Sequence, residues 1–156
     1  MLLKNWRKKN TIRCVYLNSN RHYPTTNTLS AERRLQLLAL AKKLRFAIIE
    51  DDFDYDFQFD GSPILPMASS DNEGLIIYLG KLGQSLFPSF QIGFMIAPEN
   101  FILEAKNYLQ MLDSKGDLIQ EQVLAELIHE GEIHRLLKKN TLVYKKRRDT
   151  MCLALE

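Results

Sequence analysis

The order of apolar runs near the start of the chain limits its fold most. Residues 13–18 carry Cys14, Val15, Tyr16 and Leu17, which read as a short strand. Leu37, Leu38, Ala41 and Leu44 recur at helical spacing, so residues 31–44 read as an amphipathic helix. Ser30 before it has the chemistry of an N-cap, and Glu32 suits the positive end of the helix dipole. Residues 46–49, Phe-Ala-Ile-Ile, form a second buried strand. Strand, helix, strand over this length is a βαβ unit: a parallel pair joined by a right-handed crossover. The polar loop between Asn18 and Leu29 exceeds an ordinary connection and has room for a function.

A second pair of apolar runs, 75–79 and 92–97, brackets a loop holding Gly80, Lys81, Gly83, Gln84 and Pro88. Short β-branched runs bounded by Gly and Pro read as buried strands, and the loop they hold is a natural place for chemistry. Residues 50–60 alternate. Phe53, Tyr55, Phe57 and Phe59 are expected on one face of an extended segment, with Asp52, Asp54, Asp56 and Asp60 on a solvated face opposite. From Phe101 onward the pattern is helical. One helix carries Phe101, Ala105, Tyr108, Leu109 and Leu112 and closes at Gly116. Asp117 with Gln120 resembles a capping box for a second, lined by Ile119, Val123, Leu127 and Ile128 up to Gly131. A long third helix follows to the last residue. The predicted class is α/β, a mostly parallel sheet with helices, followed by a helical C-terminal tail.

Composition bounds the function. A 156-residue chain with 46% hydrophobic and 26% charged residues has room for one core, and wholesale disorder is unexpected. A formal charge of +2 does not by itself argue for nucleic acid. The basic run Arg135, Lys138, Lys139, Lys145, Lys146, Arg147 and Arg148 is diluted by Glu130, Glu132 and Asp149 and reads as a solvated helix face. Cys14 and Cys152 are too far apart for a metal pair and fit reduced thiols, so a cytoplasmic setting is expected. The N-terminal residues read neither as a signal peptide nor as a membrane span.

Asp52, Asp54 and Asp56 imitate the start of a calcium loop, but Phe57 and Pro63 stand where its Gly and Glu belong. His22, His129 and His134 share no ligand spacing, so no metal is expected. Ser85 has no nucleophile elbow around it, and Gly80 and Gly83 are too few for a phosphate-cradling glycine loop. Asp51 stands apart, because it sits where the strand 46–49 ends, and open α/β sheets bind ligands beyond their carboxyl ends.

Three segments together resemble a known family: His22-Tyr-Pro-Thr25, Ile48-Ile-Glu-Asp-Asp-Phe-Asp-Tyr-Asp-Phe57, and Tyr78-Leu-Gly-Lys-Leu-Gly-Gln-Ser-Leu-Phe-Pro88 running into Ile92-Gly-Phe94. They are similar to the aminotransferase-like domain of the MocR subgroup of GntR-type transcriptional regulators, which has fold type I of the pyridoxal-phosphate enzymes. The resemblance implies a non-matching extension over 1–12 and a partial aminotransferase class I/II-like large domain over 13–131. A long helix over 132–156 would lead to a small domain. It also implies a truncated chain without the family's winged-helix DNA-binding domain, so no direct DNA contact, and pairing either with its own copy or with a partner chain.

The resemblance assigns the cofactor site residue by residue. Asp51 matches the aspartate that keeps the pyridine nitrogen protonated. Phe53 matches a tyrosine whose hydroxyl bonds the ring oxygen. Gln84 falls where the family has the Schiff-base lysine. Lys81 and Gly83 take the places of small hydroxyl residues near the phosphate, and Gln91 replaces a phosphate-binding arginine. Tyr23 belongs to the cofactor-side loop, where Thr26 occupies a usual glycine.

The substitutions have chemical consequences. The lone pair of a glutamine amide is delocalised, so Gln84 cannot form the aldimine that a lysine amine forms. Gln91 lacks the charged fork an arginine offers phosphate, and each charged hydrogen bond contributes about 1.5–3 kcal/mol. Pyridoxal phosphate is therefore expected to bind weakly or not at all, and transamination is not expected. The alternatives are part of an aminotransferase completed by another chain, with Lys81 as the only substitute amine in the motif, or a module that binds the cofactor or an amino compound non-covalently.

Overall fold

A computed structural model describes residues 12–53, 55, 59, 64–82, 92–114 and 116–155. Four strands, β1 (Cys14–Leu17), β2 (Ala47–Asp52), β3 (Ile76–Leu82) and β4 (Ile92–Ile96), form one sheet in the order β1-β2-β3-β4. Helix α1 (Ala31–Leu44) connects β1 to β2, which pair in parallel with Tyr16 opposite Ile49 and Leu17 opposite Glu50. The βαβ unit is thus present, and α1 has the bounds its spacing predicts. Ser30 caps it: the backbone is extended there and Oγ accepts the Arg33 N–H at 3.4 Å. Arg45 ends it in the left-handed region, with the Phe46 N–H reaching back to the Ala41 carbonyl at 3.2 Å.

β2 runs further than its apolar run. The two-residue period simply continues from Ile48 into the acids, so Glu50 and Asp52 point inward. This overturns the solvated face expected for Asp52, which is buried and accepts a hydrogen bond from the Tyr78 hydroxyl at 3.2 Å. Nor does the extended segment continue: Phe53 lies in a turn and Tyr55 in a 3-10 turn, while Asp54, Asp56, Phe57 and Asp60 fall outside the described residues.

The chain divides into two units. The first comprises the residues up to Asp52 with Leu65–Leu79 and Met95–Pro98, and its buried apolar residues are Ala41, Phe46, Ile48, Met67, Ile76 and Tyr78.

The second comprises Phe53–Ile64, Gly80–Phe94 and the residues from Glu99 onward. It contains α2 (Glu99–Met111), α3 (Leu118–His129) and α4 (Glu132–Leu155). Asp117 caps α3, its carboxylate accepting the Ile119 and Gln120 N–H groups at 3.1 Å each. Gly131, at φ +74°, supplies the left-handed turn into α4.

The end predicted for α2 at Gly116 lies nearer Asp113, which takes φ +49° while the Ser114 N–H returns to the Leu109 carbonyl at 3.0 Å. A short polar side chain tolerates that conformation well enough to replace glycine. Leu124 is the buried apolar residue among those described in this unit, and α2 and α4 bury none. Phe101, Tyr108, Met111, Leu118 and Ile119 all stand exposed. Gly80 is required by a close approach: a Cβ there would meet the Phe94 ring at 2.4 Å.

Candidate functional site at the carboxyl end of the second strand

Asp51 is the penultimate residue of β2, half-buried, on the same face as Ile49 and hence as Tyr16 across the parallel pair. The Tyr16 hydroxyl donates to Asp51 Oδ2, and the Asn18 side-chain amide donates to the Asp51 carbonyl at 2.8 Å. The end of β1 therefore grips Asp51 by both carboxylate and backbone. The hydrogen bond to Asp51 holds the Tyr16 phenol above its usual pKa; partial desolvation and the carboxylate charge act in the same direction. Tyr16 is consequently a neutral donor throughout the neutral range.

Beneath this lies a buried polar frame. Glu50 is fully buried, and its carboxylate accepts from the Ser19 hydroxyl, the Met67 N–H at 2.8 Å and the Ala68 N–H at 2.9 Å. It thereby caps the 3-10 turn Met67–Ser70 and satisfies N–H groups that a helix start leaves open. Arg34, pointing in from α1, donates to the carbonyls of Leu29 (2.9 Å), Leu65 (2.7 Å) and Ser19 (3.1 Å) and to Asn20 Oδ1 (3.1 Å). Both charges meet at Ser19, one through its hydroxyl and the other through its carbonyl. The long loop after β1 is held from within.

That loop carries Tyr23, which is exposed and follows His22, whose Nδ1 lies 3.0 Å from Thr25 Oγ1. Thr26 adopts φ +55°, a region that favours glycine, and this explains why the residue it replaces in the resembling motif is a glycine. A cleft of about 470 Å³ opens on this loop, lined by Asn18, His22, Thr25, Thr28 and Arg33 among others; Asp51 is not in its lining.

Of the remaining site residues, Phe53 lies in the turn after β2, and Lys81 is half-buried in β3. Gly83, Gln84 and Gln91 lie outside the described residues. Among the described residues no group of three or more His, Cys, Asp and Glu side chains could hold a metal ion, and no helix is long and apolar enough to cross a membrane. In the basic run, Arg135 pairs with Glu132 at 2.6 Å, Arg148 pairs with Asp149 at 2.7 Å and lies over the Phe59 ring, and Arg147 lies over Tyr144.

Sequence reasoning singled out Asp51 but missed Tyr16, Asn18, Ser19, Glu50 and Arg34. The available signal was the pairing register, which a two-residue period leaves undetermined until the partner strand is placed.

The four-stranded, mostly parallel sheet with its helices has the aminotransferase fold, as its match to solved structures shows. The structure aligns over 99% of its length with a kynurenine aminotransferase from Pyrococcus horikoshii, crystallised with PMP, at a TM-score of 0.90 and 28% identity, covering 39% of that chain. It aligns equally over 99% with a multiple-substrate aminotransferase from Thermococcus profundus, at a TM-score of 0.88 and 29% identity, covering 38% of that chain.

In sequence it is 31% identical over 147 residues to the HTH-type transcriptional regulator TauR of Rhodobacter capsulatus, across 93% of this chain and 30% of that protein. It is 31% identical over 145 residues to aromatic-amino-acid aminotransferase 1 of Thermococcus litoralis, across 93% of this chain and 35% of that enzyme. A probable rhizopine catabolism regulatory protein, MocR of Rhizobium meliloti, matches at 29% over 135 residues, 86% of this chain and 27% of that protein. No family model matches the chain. The chain is thus similar, over about nine-tenths of its length, to part of MocR/GntR-type regulators and to part of aminotransferases. It spans about a third of the length of the curated relatives it matches.

Proposed function

We propose that this chain is a non-catalytic aminotransferase-like module of a MocR/GntR-type regulator, keeping the ring-nitrogen acceptor of a pyridoxal-phosphate site and lacking its nucleophile. The observation that carries this reading is Asp51 at the strand end, together with a sequence that has an amide, Gln84, where the resembling motif has a lysine. The residues fit the cofactor unequally. The Asp51 carboxylate supplies an acceptor suited to a protonated ring nitrogen, whereas Phe53 offers no hydroxyl, Gln84 no amine and Gln91 no charge. Non-covalent, weak binding is what this donor set supports.

The test is incubation with pyridoxal 5′-phosphate followed by borohydride reduction and peptide mass mapping. No reduced adduct is expected at Lys81 above the background on exposed surface lysines; a stoichiometric adduct at Lys81 in the folded chain overturns the reading. A second reading, an aminotransferase completed by another chain, is favoured by enzymes matching as closely as regulators do. It requires transaminase activity to appear on adding the missing partner.

The exposed apolar residues of α2 and α3 support association with a second copy or partner chain. Light scattering on the purified chain should show a species larger than the monomer. DNA contact would belong to a different domain, and gel-shift assays with this chain alone should show no specific complex.

A further inference from the structure

We infer that Tyr16 is the positioning residue of the Asp51 carboxylate: donating from the neighbouring strand, its hydroxyl fixes Oδ2 and leaves Oδ1 as the unoccupied oxygen offered to a protonated heteroaromatic nitrogen. This deepens the reading proposed above and rests on it. The register places Tyr16 opposite Ile49, so Asp51 is its diagonal neighbour on one face, within reach of a tyrosine but of few shorter side chains. The Tyr16 hydroxyl and the Asn18 amide hold Oδ2 and the main-chain carbonyl respectively. Among the described residues Oδ1 accepts no hydrogen bond, and the side chain is half-buried, within reach of a ligand.

A carboxylate free to spin must lose rotamer freedom when it binds; one already held loses less. A tyrosine phenol is already a donor across the range in which a pyridine nitrogen titrates, and the Asp51 bond and charge carry that range further upward. Tyr16 does not touch the ligand in this scheme. It acts through Asp51.

Pyridoxamine 5′-phosphate is the probe, since it carries an amine and cannot form a Schiff base with any lysine. Its affinity is measured by calorimetry at several pH values for the wild-type chain, Tyr16→Phe, Asp51→Asn and the double variant. Tyr16→Phe should weaken binding about three- to tenfold, and the effect should vanish in the Asp51→Asn background. Wild-type affinity in Tyr16→Phe, with Asp51→Asn impaired, overturns this inference and leaves the proposed function standing. Wild-type affinity in Asp51→Asn overturns the role proposed for Asp51 and this inference with it; no binding by the wild-type chain overturns this inference and leaves the non-catalytic reading standing.

A ligand-free measurement separates positioning from general loss of structure. The ultraviolet difference titration of wild type against Tyr16→Phe reports the Tyr16 phenol, and Asp51→Asn should move it to lower pH. A titration unmoved by Asp51→Asn overturns the inference.

Discussion

Replacing Arg34 by methionine is the most demanding test of this fold, because the expected cost can be traced atom by atom. Methionine keeps much of the length and apolar stem while removing the charge and the donors. Four acceptors lose a partner: the carbonyls of Leu29, Leu65 and Ser19 and Asn20 Oδ1. They are not equivalent. Leu65 is 64% exposed, so water can take its carbonyl. Ser19 keeps the Leu29 N–H at 3.0 Å. Asn20 is buried, and its Nδ2 already has no partner among the described residues, so losing Arg34 leaves the whole amide unsatisfied.

An orphaned buried polar group costs about 1–3 kcal/mol, and each lost charged hydrogen bond adds to that. Part is offset because methionine has no charge to desolvate. The net expectation is a loss of about 3 kcal/mol, a large share of the roughly 5–15 kcal/mol that stabilises a typical domain. Arg34→Lys should fall between, since one compact ammonium cannot span acceptors on both sides of a guanidinium. Urea unfolding followed by far-ultraviolet circular dichroism measures both. An Arg34→Met midpoint within about 1 kcal/mol of wild type at unchanged slope would refute the account of a buried frame.

Four further outcomes follow from the same structure. Glu50→Gln turns an amide donor toward either the Met67 or the Ala68 N–H, both now donating to the carboxylate; a loss of about 2 kcal/mol or more is expected in thermal or urea melts. Thr26→Gly relieves a β-branched residue at φ +55° and should stabilise by about 0.5–1 kcal/mol, where Thr26→Val should not. Gly80→Ala drives a Cβ to within 2.4 Å of the Phe94 ring and should destabilise by about 1–3 kcal/mol, recovered in part by Phe94→Leu.

The fourth concerns pH. The folded pKa of Tyr16 lies above the ordinary tyrosine value of 10.0, so its contribution is intact below pH 10 and lost as pH rises from there through the folded value. Wild type should therefore lose stability above pH 10 faster than Tyr16→Phe; parallel profiles would count against the Tyr16–Asp51 bond.

The sequence alone determined the elements that depend on neighbours along the chain. The periods of 3.6 and 2, Ser30 and Asp117 as caps, and the left-handed turn at Gly131 are local effects, and α1 and α3 stand where those signals put them. The acid at the end of the second strand was legible for the same reason, although β2 extends past it. What only the tertiary structure decided is the direction and company of each polar side chain. The same alternation that suggested a solvated row of acids buries Glu50 and Asp52, because period two continues the inward face of Ile48 wherever a neighbouring strand and a capped turn provide donors. Tyr16 reads in the sequence as one more apolar strand residue; the parallel register turns it into the donor that holds Asp51. Local periodicity states which residues share a face. Which face meets donors, and which meets water, is set by strands and loops distant in sequence, through the cost of burying a charge without partners.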